Sequence, residues 1–147
     1  MEQIYPYVQI VHLICAIIFL GYIFFDVVIF SRLKSALGAD YERVKKAIGS
    51  RAIKIMPVCL FTLIITGGMM MSRWVGSANG GYFGTPLQKI FMLKVTLALI
   101  IAVCVAINLS CRAMGRPAPE FLRVNIHKIA FVFGFIIVLC AKLMFVV

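Results

Sequence analysis

Acidic residues, histidines and catalytic motifs are all scarce in this sequence. Its 147 residues include five Asp and Glu residues and two histidines. It has no Gly-rich phosphate loop, no nucleophile–base signature and no segment with the composition of a soluble catalytic domain. The five cysteines form no CxxC pair, which argues against a zinc site or a disulfide framework, so we expect them to serve as small apolar side chains. Any enzyme activity would therefore depend on a bound cofactor.

Apolar residues fill most of the chain instead. The hydrophobic fraction is 63% and the mean hydropathy is +1.06, whereas soluble domains are about 45–50% apolar. Four apolar runs are long enough to cross a bilayer, and the first lacks the basic start of a cleaved signal peptide. The sequence thus predicts one all-α domain over residues 1–147, an integral-membrane four-helix bundle with up-down-up-down topology. Its predicted spans are residues 7–31, 52–74, 87–111 and 121–146.

Basic residues are concentrated in two of the gaps between the runs. The net charge is +10, and eleven of the fifteen Lys and Arg residues lie in or beside the first and third gaps. By the positive-inside rule these gaps are cytoplasmic and both termini lie outside, in the periplasm if the membrane is the inner membrane of a Gram-negative bacterium. The rule accounts for the charge without nucleic acid, so we expect a multi-pass protein of the bacterial inner membrane whose surroundings are lipid.

Seven polar side chains inside the apolar runs are candidates for function, because an unpaired charge at that depth costs a few kcal/mol or more. A helix rise of about 1.5 Å per residue separates them into two layers. His12 and Asp26 are fourteen residues apart, as are Lys94 and Asn108, so each pair lies along one stripe of a helix. The outer layer contains His12, Lys94 and Lys142, and the inner layer contains Asp26, Lys54, Asn108 and His127.

His12 and Lys94 are the leading candidates for a cofactor site. Imidazole is a usual axial ligand of haem iron, so His12 is predicted to ligate or face a haem. Lys94 could neutralise a haem propionate. The alternatives are a histidine hydrogen-bonded inside the bundle and a lysine whose amine reaches outward to the interface.

His127 and Asn108 are candidates for the inner part of the site. His127 is predicted to be a second haem ligand or a proton-relay group, the alternative being an interfacial histidine paired with Asp26. Asp26 could instead neutralise Lys54 or Arg51. His12 and His127 differ in depth by roughly 20 Å, whereas two axial nitrogens on one iron lie about 4 Å apart. Within one bundle they are therefore not expected to bind the same iron.

Four stretches carry a resemblance to a known family. They are VQIVHLICAIIF in the first span, RAIKIMPVCLFTLIITGGM in the second, FMLKVTLALI in the third and FLRVNIHKIAFVFGF in the fourth. The chain resembles the small four-span bacterial membrane proteins that include HemJ-type protoporphyrinogen oxidases, with the CopD-type copper-resistance domain as a relative. The resemblance implies b-type haem, redox chemistry on a porphyrin or a membrane electron carrier, a haem-associated His12 and a functionally required Lys94.

Three functions remain open from the sequence. The first is an integral-membrane haem b protein with a redox role, whose partners would be haem, lipid and a membrane electron carrier. The second is a small transporter or copper-handling protein that uses the polar layers as a relay. The third is an assembly subunit without a cofactor of its own. A homodimer is compatible with all three, because Gly67 and Gly68 allow close helix approach.

Overall fold

The computed structural model describes residues 3–146, and every regular element in that range is helical. The all-α prediction is therefore confirmed at the level of fold class. Short π- and 3-10-helical turns fill much of the chain between α1 and α3. The α-helices are α1 (Tyr5–Phe24), α2 (Lys34–Leu37), α3 (Tyr41–Met71), α4 (Pro86–Ala113) and α5 (Glu120–Leu143).

Within the described range, three helical stretches, not four, are long and apolar enough to cross a membrane. Two of them, α4 and α5, agree closely with the predicted third and fourth spans. The predicted first and second spans lie in one continuous helical stretch, Tyr5–Met71. The prediction of four separate helices was wrong here, because the basic segment was expected to separate the first two. It contains no proline, and helical turns fill it on both sides of Gly38, so no long non-helical gap divides the two runs.

The continuous stretch nevertheless reverses direction. The chain divides into two compact units between Thr66 and Gly67. In the N-terminal unit, the His12 ring contacts Thr66, and the Phe30 ring stacks on Tyr41 with centroids 4.9 Å apart. His12, early in α1, thus contacts Thr66, late in α3, whereas Phe30, after the end of α1, contacts Tyr41, the first residue of α3. The chain therefore runs in opposite directions through α1 and α3. The reversal includes Gly38, whose φ of +50° favours a residue without a Cβ.

The C-terminal unit has the larger apolar core of the two. Helices α4 and α5 pack against each other, and Val75, Phe91 and Met144 form a buried cluster. The Trp74 and Phe145 rings meet edge to face at 5.4 Å. Most other large apolar side chains are exposed, Phe61 by 65% and Phe135 by 60%. Such exposure is compatible with a chain whose outer surface contacts lipid rather than water.

Gln88 organises the loop that precedes α4. Its side-chain oxygen accepts hydrogen bonds from the backbone N–H groups of Gly84 (2.9 Å) and Thr85 (3.2 Å), and its amide donates to the Asn79 carbonyl at 2.8 Å. Thr85 completes a capping box by accepting from the Gln88 backbone N–H. Gln88 itself is only 3% exposed, so these hydrogen bonds satisfy the polar atoms of a buried side chain.

Replacing Gln88 with Ala is expected to destabilise the C-terminal unit by about 1–3 kcal/mol, since it removes three hydrogen bonds and leaves a cavity at a buried position. Thermal unfolding in detergent, followed by circular dichroism, measures the change. Lys89→Ala is the matched control, because Lys89 is the exposed neighbour in the same turn. Equal melting temperatures for the two variants would contradict this role of Gln88.

Candidate functional site

His12 makes a defined polar contact between the two helices of the N-terminal unit. Its Nδ1 lies 2.8 Å from Oγ1 of Thr66, which is buried on α3. The Thr66 hydroxyl itself donates to the Thr62 carbonyl at 2.6 Å. A hydroxyl has one hydrogen to donate, so towards His12 the Thr66 oxygen is an acceptor and the imidazole Nδ1–H is the donor.

This chain of hydrogen bonds determines the tautomer of His12. With the proton on Nδ1, the lone pair of the neutral ring is on Nε2, which can then act as a base or as a metal ligand. A metal-binding histidine is commonly oriented in this way, by donating its other N–H to a neighbouring oxygen. The sequence identified His12 but not Thr66, because the pairing of positions 54 residues apart depends on how α1 and α3 align.

Cys15 and Cys59 form a second polar contact between these two helices. Cys15 is one helical turn beyond His12, and Cys59 is two turns before Thr66. The two side chains interact, and both cysteines are reduced. Sequence reasoning had treated all five cysteines as separate apolar side chains. Their contact is compatible with antiparallel helices, although it is offset by about one helical turn from the register of the His12–Thr66 contact.

Lys94 lies against the apolar core of the C-terminal unit. Its amine is 4.4 Å from the centroid of the Phe91 ring and 3.9 Å from the sulfur of Met144. Both neighbours are buried, while Lys94 is half-buried. Residues 67–147 contain a single acidic residue, Glu120, which begins α5 and is far along the chain from Met144. The Lys94 amine thus contacts an aromatic ring and a thioether sulfur. Neither neighbour carries a negative charge, so the carboxylate of a ligand would form a charge-assisted hydrogen bond with this amine.

Asn108 and His127 lie towards the other end of the α4–α5 pair, and both are half-buried. The Lys94–Met144 contact sets the register of these antiparallel helices. By that register Asn108 and His127 differ by about three residues, or roughly 5 Å along the axis. Lys94 and Asn108 are fourteen residues apart, about 21 Å. The C-terminal unit therefore separates its polar side chains into two groups, one at each end.

The remaining polar residues of the predicted layers lie at the margins. Asp26 is half-buried in the π-helical turn Phe25–Ile29, and its carboxylate interacts electrostatically with the Tyr22 phenol one turn earlier. Lys54 and Lys142 are exposed. The regular α-helix ends at Phe24, so the stripe predicted to join His12 to Asp26 holds only up to that point.

The His12–Thr66 contact is expected to stabilise the N-terminal unit by about 0.6 kcal/mol, the average for side-chain hydrogen bonds between membrane helices. A double-mutant cycle of His12→Ala and Thr66→Val, measured by unfolding in detergent, gives this coupling energy. Thr96→Val provides the matched control, because the Thr96 hydroxyl bonds only to the Met92 carbonyl of its own helix. Coupling no larger with Thr66 than with Thr96 would show that the contact contributes nothing.

Similarity to known proteins gives no assignment for this site. Comparisons with protein-family models, with curated proteins and with solved structures found no match. Across residues 3–146, no three His, Cys, Asp or Glu side chains group closely enough to hold a metal ion by themselves. Any interpretation of the site must therefore come from the His12 and Lys94 environments.

Proposed function

We propose that this chain is an integral-membrane b-type haem protein with a redox role, and that His12 ligates the haem iron. The observation that carries the proposal is the hydrogen-bond chain from His12 through Thr66 to Thr62. It holds a half-buried imidazole in the tautomer whose Nε2 is the basic nitrogen. Haem, when bound, supplies one-electron transfer.

The residues present fit such a group in two respects. An axial ligand needs a neutral imidazole with a fixed ring orientation, and Thr66 provides the oxygen that fixes it. The propionates of haem need cations, and in the C-terminal unit Lys94 offers a half-buried amine. The nearest acidic residue to Lys94 along the sequence is Glu120. His127 and Asn108 are proposed as a second ligand or proton-relay group and its neighbour. The resemblance to HemJ-type proteins supports the same roles for His12 and Lys94.

Four membrane crossings remain our proposal for the arrangement in the bilayer. The stretch Tyr5–Met71 would be about 100 Å long if it were straight, whereas the hydrocarbon core is about 30 Å thick. Because α1 and α3 are antiparallel, each can cross the membrane once, and α4 and α5 supply two more crossings. From the distribution of Lys and Arg we propose that the α1–α3 and α4–α5 turns face the cytoplasmic side of a bacterial inner membrane, with both termini outside.

Protein purified after haem-replete expression is expected to show a Soret band that shifts on reduction with dithionite. His12→Ala should abolish or shift the band, because it removes the proposed ligand. Thr66→Val should weaken haem binding by about tenfold or more, while Thr66→Ser should retain it, because only serine keeps the orienting oxygen. Lys142→Gln, at an exposed position, serves as the control.

Two results would reject this function. One is a colourless protein under haem-replete conditions, and the other is a His12→Ala spectrum identical to that of the parent. A colourless protein that instead takes up copper would favour the metal-handling alternative, since the neighbouring thiols of Cys15 and Cys59 are soft ligands of the kind that Cu(I) prefers. A colourless, metal-free protein that co-purifies with a membrane partner would favour an assembly subunit.

Lys94→Met is expected to lower haem affinity by at least about tenfold without removing the Soret band, because a charge-assisted hydrogen bond to a propionate contributes about 1.5–3 kcal/mol. Lys94→Arg should retain most of the affinity, since it preserves the positive charge. Titration of the haem-free protein with haem measures these values, and Lys142→Met is the matched control. If Lys94→Met and Lys142→Met bound haem equally well, Lys94 would have no role in propionate binding.

A further inference from the structure

Charge is unevenly distributed along the first turns of α3. Its two acidic neighbours, Asp40 and Glu42, both lie at the beginning of the helix. There the Arg43 guanidinium pairs with the Asp40 carboxylate at 3.1 Å, with 79% and 62% of the two side chains exposed. From residue 44 to residue 71 the sequence contains no acid. The positive charge at the start of α3, the tip of the α1–α3 turn, is therefore partly neutralised by Asp40 and Glu42. From residue 44 onward, the charged side chains of α3 are all positive.

Three of those positive charges share one side of α3. At 100° per residue, Lys46, Arg51 and Lys54 fall within an arc of about 140°, and all three are exposed. The opposite side carries half-buried residues at helical spacing, among them Ile48, Ala52 and Met56. We call Lys46, Arg51 and Lys54 the basic face. Lys45 projects elsewhere, towards the Tyr41 ring, 5.9 Å from its centroid.

The length of α3 places this face at the membrane surface. Residues 52–71 make an apolar segment of about 30 Å, the thickness of the hydrocarbon core. Arg51 then lies at the boundary, and Lys46 lies about 8 Å beyond it. Lys54 is about 5 Å inside, a depth from which a lysine amine reaches the interface. The headgroup layer is about 5–8 Å thick, so the amines of Lys46 and Lys54 and the Arg51 guanidinium can all reach it.

We propose that the basic face of α3 is a binding site for the phosphate of an anionic phospholipid. A soluble anionic partner would approach from the water side and meet the tip first, where Asp40 and Glu42 offset the positive charge. A lipid phosphate instead occupies the level at which α3 carries Lys46, Arg51 and Lys54 and no acidic side chain. The site requires only that α3 crosses the membrane, so it is independent of haem.

The test is the lipid that the purified protein retains. The full chain is reconstituted in vesicles of equal phosphatidylglycerol and phosphatidylcholine with the same acyl chains, extracted in mild detergent and analysed for bound lipid. We expect enrichment of phosphatidylglycerol. A juxtamembrane Lys or Arg contributes about 1 kcal/mol to anionic-lipid binding, so Arg51→Gln should lower the enrichment about fivefold. The triple variant K46Q/R51Q/K54Q should retain the two lipids equally.

Arg43→Gln is the matched control, since it removes the same charge from an exposed position at the tip and should leave the enrichment unchanged. Circular dichroism shows whether each variant keeps its helix content, and the single Arg51 variant provides the test if the triple variant does not fold. The proposal is wrong if Arg43→Gln lowers the enrichment as much as Arg51→Gln, or if the triple variant still selects phosphatidylglycerol. Displacement of the lipid by inorganic phosphate or a short oligonucleotide at equal concentration would also overturn it, by showing a site for soluble anions.

Discussion

A lipid environment cannot satisfy polar groups, and this constraint shapes the whole structure. Backbone N–H and C=O groups in hydrocarbon must bond within the chain, which favours the long helices α1, α3, α4 and α5. Apolar side chains lose little by pointing outward into lipid, so Phe61 and Phe135 are largely exposed. Burial alone therefore provides few fixed contacts, and the small number of polar side chains gains importance in positioning the helices.

Three buried or half-buried polar side chains meet the constraint with particular partners. Thr66 bonds to His12 on α1 and to its own helix, Gln88 supplies partners for the loop before α4, and Lys94 lies over an aromatic ring and beside a sulfur atom. The side-chain oxygen and amide of Gln88 both have partners in the adjacent loop, which is typical of a structural role. His12 and Lys94 differ because an imidazole is a common metal ligand and an ammonium group pairs with anions, which is why the proposed haem function depends on them.

The proposed lipid site follows from the same constraint applied at the membrane boundary. In that proposal, Lys46, Arg51 and Lys54 are tolerated at the end of an apolar helix because headgroup phosphates would be available at that depth. Arg43, nearer the start of α3, pairs instead with a carboxylate of the chain. The first turns of α3 thus contain two kinds of cation. The charge of Arg43 is neutralised by a carboxylate of the protein, whereas the charges of the basic face are available to anionic lipid.

The sequence by itself determined the helical fold class, the bounds of α4 and α5, and the identity of the polar residues, because hydrophobicity and helix period are local properties. It did not show that the helix beginning at Tyr41 continues through Gly49 into the second apolar run, since a glycine inside a helix costs only about 1 kcal/mol and does not by itself decide where the helix ends. Only the tertiary structure decided which residues meet. Thr66 became the partner of His12, and Cys59 the neighbour of Cys15, through the register of two antiparallel helices. That register depends on the summed packing of distant side chains, which no local pattern encodes.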